Sequence, residues 1–511
     1  MTRCVIQISS LGHSCILLSF ECADVSKTTK ILIDPWLSDY ATGDLMSRFP
    51  RVRFDADIFS DVDAIYLTHA HCDHLDPYTL LRLWNELASP PVLIIPVSLS
   101  FVIPIFERYL LNPDIIVLKP HEPILFAGLE LLGFFDVSDQ PNNEEDVMIL
   151  VITNDNERIL VEADARLSLE LVHFRQFISM LLRAPNLETV VYLTTENELT
   201  GTMEGRNCTS LEDREEILAY ATEEMYTSVE NVYIPFDDPM DLWNDSRLIR
   251  LIHGQGLTAP HSLDKRWQKI LFPVRIEHRI QAERQIAEQY GYKHRIDGLD
   301  VGYTHTIQHG AVKNKSIFSG YTLLDREEQR AYEPDNDFFP CLPCAPLRIY
   351  EGDIEHQKKQ IESLINDFFV PYLHGIRQPP VLHLLSEHDG EYRIHIHYGS
   401  TLDSFFVYVL SFANPIFVET ADSSSPPHEA YWANDLIDFL EGMCDEFSTF
   451  CRRQIPAPYM RLWTALATPL LNGERAKKRI ERHFERAARG DTPESWVLGY
   501  YRFMEESQKQ S

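Results

Sequence analysis

No stretch of this 511-residue chain is both long and apolar. The most apolar segment, Val92 to Phe106, is broken by Pro96 and Pro104. It falls short of the roughly 20 apolar residues that a membrane helix needs. Positive charge is scarce too: 46 Lys and Arg stand against 77 Asp and Glu, a formal net charge of −31. A field of that sign repels phosphate backbones and anionic lipid, so neither nucleic acid nor a membrane is an expected partner. The nearest basic stretch, Arg475 to Arg486, reads as a solvated helix face. The nine cysteines are scattered and odd in number, so no disulfide framework is expected and a reducing compartment fits. The start, Met1-Thr2-Arg3-Cys4-Val5-Ile6, lacks a charged-then-apolar signal pattern. Internal repeats and low-complexity tracts are absent. The expectation is a cytoplasmic protein acting on a small-molecule substrate, with homo-oligomerisation open.

What is present is an ordinary globular composition, 44% hydrophobic and 24% charged. The length suggests two or three domains. Short β-rich runs at Val5 to Ser9, Cys15 to Phe20, Thr29 to Ile33, Ala64 to Leu67, Val92 to Pro96 and Ile115 to Leu118 read as strands. Val147 to Ile152 and Arg158 to Glu162 flank Asn154-Asp155-Asn156 and predict a hairpin. Helical spacing predicts helices around Tyr78 to Glu86, Leu167 to Leu182, Leu211 to Thr227 and Glu277 to Gln289. Asn231 to Pro235 reads as a further strand. The Pro- and Cys-rich segment Glu333 to Pro346 marks a boundary between a metal-binding domain, 1–330, and a C-terminal α+β domain, 345–511. The C-terminal domain carries no catalytic pattern, and a dimerisation or substrate-lid role suits it.

The segment that carries chemistry is Thr68-His69-Ala70-His71-Cys72-Asp73-His74. It follows a strand and precedes a helix. Three imidazoles and a carboxylate in six residues are dense in metal-ligand types. His69 and His71, two apart, can share one side of an extended turn. Asp73 and His74 follow at once and can face a second ion, a spacing that suits a dinuclear site.

This string resembles the metallo-β-lactamase superfamily motif of His, any, His, any, Asp, His, and matches it fully. Ile31 to Leu37 resembles the strand whose Asp supports that loop, which makes Asp34 an orienting residue by resemblance. Arg158 to Asp164 resembles the strand ending in the superfamily's bridging Asp, which places Asp164 among the ligands. Two departures stand out. The superfamily's further His before the hairpin is replaced by Asn142-Asn143-Glu144-Glu145-Asp146, with Asp146 a candidate ligand. The last His is missing near Tyr233-Ile234-Pro235-Phe236, where Asp237 is the candidate. Gly12-His13-Ser14 resembles the lactonase- and phospholipase-type branch. It makes His13 a candidate ligand or orienting group, with a hydrogen-bonded turn residue as the plainer reading.

The resemblance implies an αββα sandwich with an added C-terminal α+β domain. It implies one or two ions, zinc or iron, with carboxylates favouring the harder ion. Metal-activated water would then hydrolyse an ester, phosphodiester, lactone or amide, with Asp73 or Asp164 handling the proton. A looser resemblance runs to the metallo-β-lactamase-like part of CMP-N-acetylneuraminate hydroxylases, through Tyr233 to Phe236 with Trp243-Asn244. It implies an alternative, a non-haem iron oxygenase. Such enzymes carry a Rieske domain with two Cys-x-His pairs. The chain lacks that pairing, and Cys341-Leu342-Pro343-Cys344 reads as a linker element, so electrons would come from a redox partner. A non-catalytic binding module is the third reading. Arg166 is the basic residue nearest the site in sequence.

Overall fold

The structure is a computed structural model. It describes residues 5–21, 28–38, 47–48, 52–54, 56–135, 147–154, 156–165, 167, 169–183, 186–197, 211–236, 238, 241–255, 257–258, 276–318, 321–323, 353–373, 385–386, 388–398, 404–413, 416–421, 424–440 and 474–492. Asp146, Arg166, Asp237, the Cys341 and Cys344 pair and the boundary segment 333–346 lie outside these residues.

The main strands are β1 (Val5–Gly12), β2 (Cys15–Glu21), β3 (Thr29–Ile33), β4 (Ala64–Tyr66), β5 (Val92–Pro96), β6 (Ile115–Leu118), β7 (Ile124–Phe126), β8 (Leu129–Phe135), β9 (Met148–Asn154), β10 (Glu157–Val161), β11 (Thr189–Asn197), β12 (Leu248–Gln255), β13 (Arg295–Leu299), β14 (Tyr303–Gln308) and β15 (Ala311–Ile317). One sheet has eight strands in the order β15-β14-β1-β2-β3-β4-β5-β6; the other has seven, β13-β12-β11-β10-β9-β8-β7. β3 to β6 run parallel in the first sheet, and β10 to β13 run parallel in the second.

Alternation along each strand builds the layers, because successive side chains leave opposite faces of a sheet. Ile16, Leu18, Ile31, Ile33 and Tyr66 face the second sheet, where Leu150, Ile152, Ile159 and Val161 meet them in one core. Their neighbours Leu17, Leu32 and Ile65 face outward, against the helices α1 (Pro77–Glu86) and α2 (Ile103–Tyr109). On the far side, Ile149, Val151, Leu160 and Val190 meet α3 (Val172–Leu182), α4 (Leu211–Val232) and α5 (Ile276–Tyr290). Each such buried aliphatic side chain contributes on the order of 1.5–3 kcal/mol. Helix, sheet, sheet and helix thus stack in four layers. The Tyr66 hydroxyl donates to the Met148 carbonyl at 2.9 Å and stitches the sheets together beside the histidine cluster.

The helix α1 begins where the histidine string ends. Asp76 accepts from the Tyr78 backbone N–H, and Pro77 occupies the first turn, both favourable at a helix start. The strand expected at Asn231 to Pro235 is absent. The helix α4 runs to Val232, and the Tyr233 N–H still reaches the Val229 carbonyl. Met225, Val229 and Tyr233 are buried at helical spacing, so this apolar run closes a helix face.

Further along come α6 (Ile354–Leu373), β16 (Glu391–His397), β17 (Phe405–Ser411), β18 (Val418–Thr420), β19 (Glu429–Trp432), α7 (Ala433–Leu440) and α8 (Glu474–Ala488). The strands form a sheet in the order β18-β17-β16-β19 around a separate core that includes α6 and α7. His395 and His397 share a face of β16, and both are buried against Phe405, with Trp432 also against His397. The helix α8 is not a solvated basic rod. Its Ile480 and Phe484 enter the core beneath α1 and α2, and Phe484 lies 5.8 Å from the Phe106 ring. Among the described residues, no helix is long and apolar enough to cross a membrane.

Candidate metal centre

The site lies at the C-terminal ends of β3, β4 and β10, beside the β1–β2 turn. Asp34 follows β3, His69 to His74 follow β4, Asp164 follows β10, and His13 sits in the turn. Three residues here hold left-handed backbone without being glycine: His13 at φ 51°, Asp34 at 43° and Ala163 at 52°. Such conformations cost energy and gather where a side chain must be aimed.

Asp34 is fully buried and organises the string. One carboxylate oxygen accepts from the Thr68 N–H at 2.8 Å. The other accepts from the Thr68 hydroxyl at 2.6 Å and from His74 Nδ1 at 2.8 Å. Because its proton goes to Asp34, the Thr68 hydroxyl acts as acceptor for His69 Nδ1, 2.8 Å away. One carboxylate therefore places the protons of both His69 and His74 on Nδ1. Nε2 of each ring is thereby the atom offered to a metal, with its lone pair free in His69 and freed in His74 once its second proton leaves.

Those lone pairs converge. Asp164 Oδ2 lies 3.7 Å from His69 Nε2, 3.9 Å from His71 Nδ1 and 3.0 Å from His74 Nε2. Asp73 Oδ2 lies 3.8 Å from His74 Nε2 and 2.9 Å from His13 Nε2. His69, His71 and Asp164 offer ligand atoms within 4.8 Å of one another, and so do His13, Asp73 and His74. The structure thus gathers His13, His69, His71, Asp73, His74 and Asp164, with Asp34 behind them.

The protonation states fit a cation. Burial lowers His71 to about 4, although Asp73 and Asp164 pull the other way. Burial, with the neighbouring imidazoles and Arg479, lowers His69 well below its usual value. Burial also pushes His74 down, but Asp164, Asp73 and Asp34 outweigh it and raise His74 well above the imidazole range. Burial pushes Asp73 and Asp164 up, and the surrounding imidazoles, His74 above all, bring both below the usual carboxylate range. With its Nδ1 proton on Asp34, His74 presents a lone pair to a carboxylate oxygen at 3.0 Å. That approach is repulsive unless a proton or a metal ion sits between them. Imidazole nitrogens with carboxylate oxygens suit zinc, iron or manganese.

Several contributors carry no sequence signal that singles them out. Thr68 is one. Arg479 of α8 is another: it is buried, and its guanidinium donates to the Ala70 carbonyl, between His69 and His71, at 2.7 Å. The Ile480 and Phe484 stripe signals only that α8 is amphipathic. Glu162 does not join the ligand groups. It accepts from the Tyr192 hydroxyl and the Leu167 N–H, holding the turn that carries Asp164. His253, on β12, lies with Nε2 2.6 Å from the Ser10 hydroxyl. Burial, with the His13 imidazole nearby, lowers it to about 3. His305 and His309, on β14 and after it, join no ligand group among the described residues.

No family model matches the chain. A stretch of 159 residues is 28% identical to a putative Rieske 2Fe-2S iron-sulfur protein of Mycolicibacterium smegmatis, covering 29% of this chain and 24% of that one. The chain thus spans about a quarter of the curated relative that it matches. Among solved structures it is similar to CmlA, a diiron β-hydroxylase from Streptomyces venezuelae, at TM-score 0.31 and 15% identity, over 60% of this chain and 54% of that one. It is similar to the metallo-β-lactamase fold protein YhfI from Bacillus subtilis at TM-score 0.31 and 12% identity, over 58% and 98%. These likenesses are distant. The sheet order, the four layers and the placement of the histidine string on the strand ends decide the architecture. The fold is a four-layer αββα sandwich, the architecture expected from the sequence, and the candidate metal-ligand residues lie on one rim of it.

Proposed function

We propose that the chain is a metal-dependent hydrolase of a small-molecule ester, phosphodiester, lactone or amide. One observation carries the reading: a single carboxylate oxygen of Asp164 lies within 4 Å of three buried imidazoles, each presenting a nitrogen to it. A divalent ion bound there would lower the pKa of a coordinated water toward neutrality and polarise a substrate oxygen.

The chain's own residues supply the rest. His69 and His71 are neutral at pH 7 and act as ligands without first losing a proton. Asp34 and Thr68 hold His69 and His74 in one tautomer, so no reorganisation is needed at the moment of reaction. Asp73 and Asp164 stay ionised, and either carboxylate can take a proton from the attacking water and return it to the leaving group. His13 holds the Asp73 carboxylate in place from the β1–β2 turn.

A second reading is iron-dependent oxygenation with electrons from a separate redox protein. The partial likeness to a protein named for a Rieske cluster favours it. Elemental analysis of protein purified without added metal separates the two, followed by a hydrolysis panel of esters, lactones and phosphodiesters. Bound zinc with hydrolysis supports the first reading. Stoichiometric iron with oxygen consumption and no hydrolysis replaces it with the second.

A further inference from the structure

We propose that His13 is a ligand to a second metal ion, held by His13, Asp73 and His74 beside the ion at His69, His71 and Asp164. The inference rests on the metal-centre reading above and goes beyond it in fixing two ions and naming a ligand outside the histidine string.

Geometry carries the argument. The ligand atoms of His13, Asp73 and His74 fall within 4.8 Å of one another, as close a group as the other triad. His13 Nε2 reaches Asp73 Oδ2 at 2.9 Å, and its ring centroid lies 5.4 Å from that of His74. Asp164 Oδ2, at 3.0 Å from His74 Nε2, stands where one carboxylate can serve both ions. The turn is built to aim this ring. Gly12 at φ 105° and His13 at φ 51° both hold left-handed backbone, and His13 is fully buried. The Trp36 ring meets His13 edge-on at 5.0 Å and fixes its plane. His13 Nδ1 finds no hydrogen-bond partner among the described residues, so the ring does not serve to link two polar groups.

The alternative ligand is His253, at the end of β12. Its Nε2 is taken up by the Ser10 hydroxyl at 2.6 Å, and it joins no ligand group among the described residues. His253 therefore backs the β1–β2 hairpin, whereas His13 faces the ligands. The two imidazoles and one carboxylate around the second ion suit zinc, iron or manganese.

The test uses the full chain, stripped with a chelator and reloaded with zinc alone or cobalt(II) alone. Bound metal is counted after gel filtration. His13→Gly is the chosen variant, because glycine accepts the left-handed backbone and leaves a cavity the size of imidazole. The expected result is two ions in the unchanged chain, one in His13→Gly, and two in His253→Gln. Added free imidazole should restore the second ion to His13→Gly. That rescue identifies a lost ligand even if the variant is less stable. Two ions retained in His13→Gly, or one ion lost in His253→Gln, overturns the assignment. One ion in the unchanged chain also overturns it while leaving the metal-centre reading intact. No ion at all defeats the metal-centre reading itself.

Discussion

Replacing Asp34 by asparagine changes one atom and should disable the metal site. The carboxylate accepts three bonds, from the Thr68 N–H at 2.8 Å, the Thr68 hydroxyl at 2.6 Å and His74 Nδ1 at 2.8 Å. In Asp34→Asn the amide oxygen can keep the Thr68 N–H, but the amide NH2 then faces two donors. His74 must move its remaining proton to Nε2 to relieve the clash, and that removes the lone pair a metal would use. The Thr68 hydroxyl must turn away as well, which frees His69 from its fixed tautomer. Losing an orienting partner of this kind costs about 10- to 100-fold in metal affinity, or about 1.4–2.8 kcal/mol. Removing one member of a buried charge pair also lowers the stability of the metal-free chain by about 3–5 kcal/mol. A chelator-competition titration reads the affinity, and urea unfolding of stripped protein reads the stability. An affinity within about threefold of the unchanged chain would refute the tautomer argument.

Metal loading at pH 7 should expel about one proton per chain, from His74, whose surrounding carboxylates raise it, while His69 and His71 are already neutral. Calorimetry in buffers of different ionisation enthalpy measures that proton, and a heat independent of buffer contradicts it. The raised His74 also means that the metal-free chain keeps this stabilisation below pH 6.5 and loses it as pH rises through the folded-state value; urea midpoints against pH show the trend. Arg479→Met should weaken metal binding about tenfold by freeing the Ala70 carbonyl between two ligands. Arg489→Ala, at an exposed pair just past the end of that helix, should leave it unchanged; equal affinities in all three proteins would remove Arg479 from the site. Phe484→Ala should destabilise the unit containing β1 to β6 by about 3–5 kcal/mol, because this ring fills the core under α1 and α2; a midpoint unchanged in urea would contradict that packing.

What could be read along the chain was what depends on neighbours in sequence. Ile31 to Ile33 and Leu150 to Ile152 lie in short β-rich runs, so the strands were legible, while the sandwich followed from the family resemblance of the histidine string. His69, His71, Asp73 and His74 are close neighbours, so the string announced itself, and Asp164 followed from the resemblance of Arg158 to Asp164 to the superfamily strand that ends in an Asp. The approach of His13 to Asp73 spans 60 residues, and that of Arg479 to Ala70 spans 409. No local period encodes such approaches; they follow from how β1–β2 and α8 dock. The end of α4 was misread for a related reason. Asn231 to Pro235 alone resembles a strand, and only the spacing from Met225 and Val229 shows Tyr233 closing a helix face. Basic residues dominate α8 from Arg475 to Arg486, and they hid the two apolar side chains that anchor it.

The central claim is a metal ion held between the string after β4 and Asp164. Elemental analysis of the chain purified without added metal, beside His71→Ala prepared identically, tests it most directly. The account predicts near-stoichiometric zinc, iron or manganese in the unchanged chain and a clear loss in His71→Ala, with the sheets still folded by circular dichroism. Equal metal in both proteins, or none in either, would contradict it.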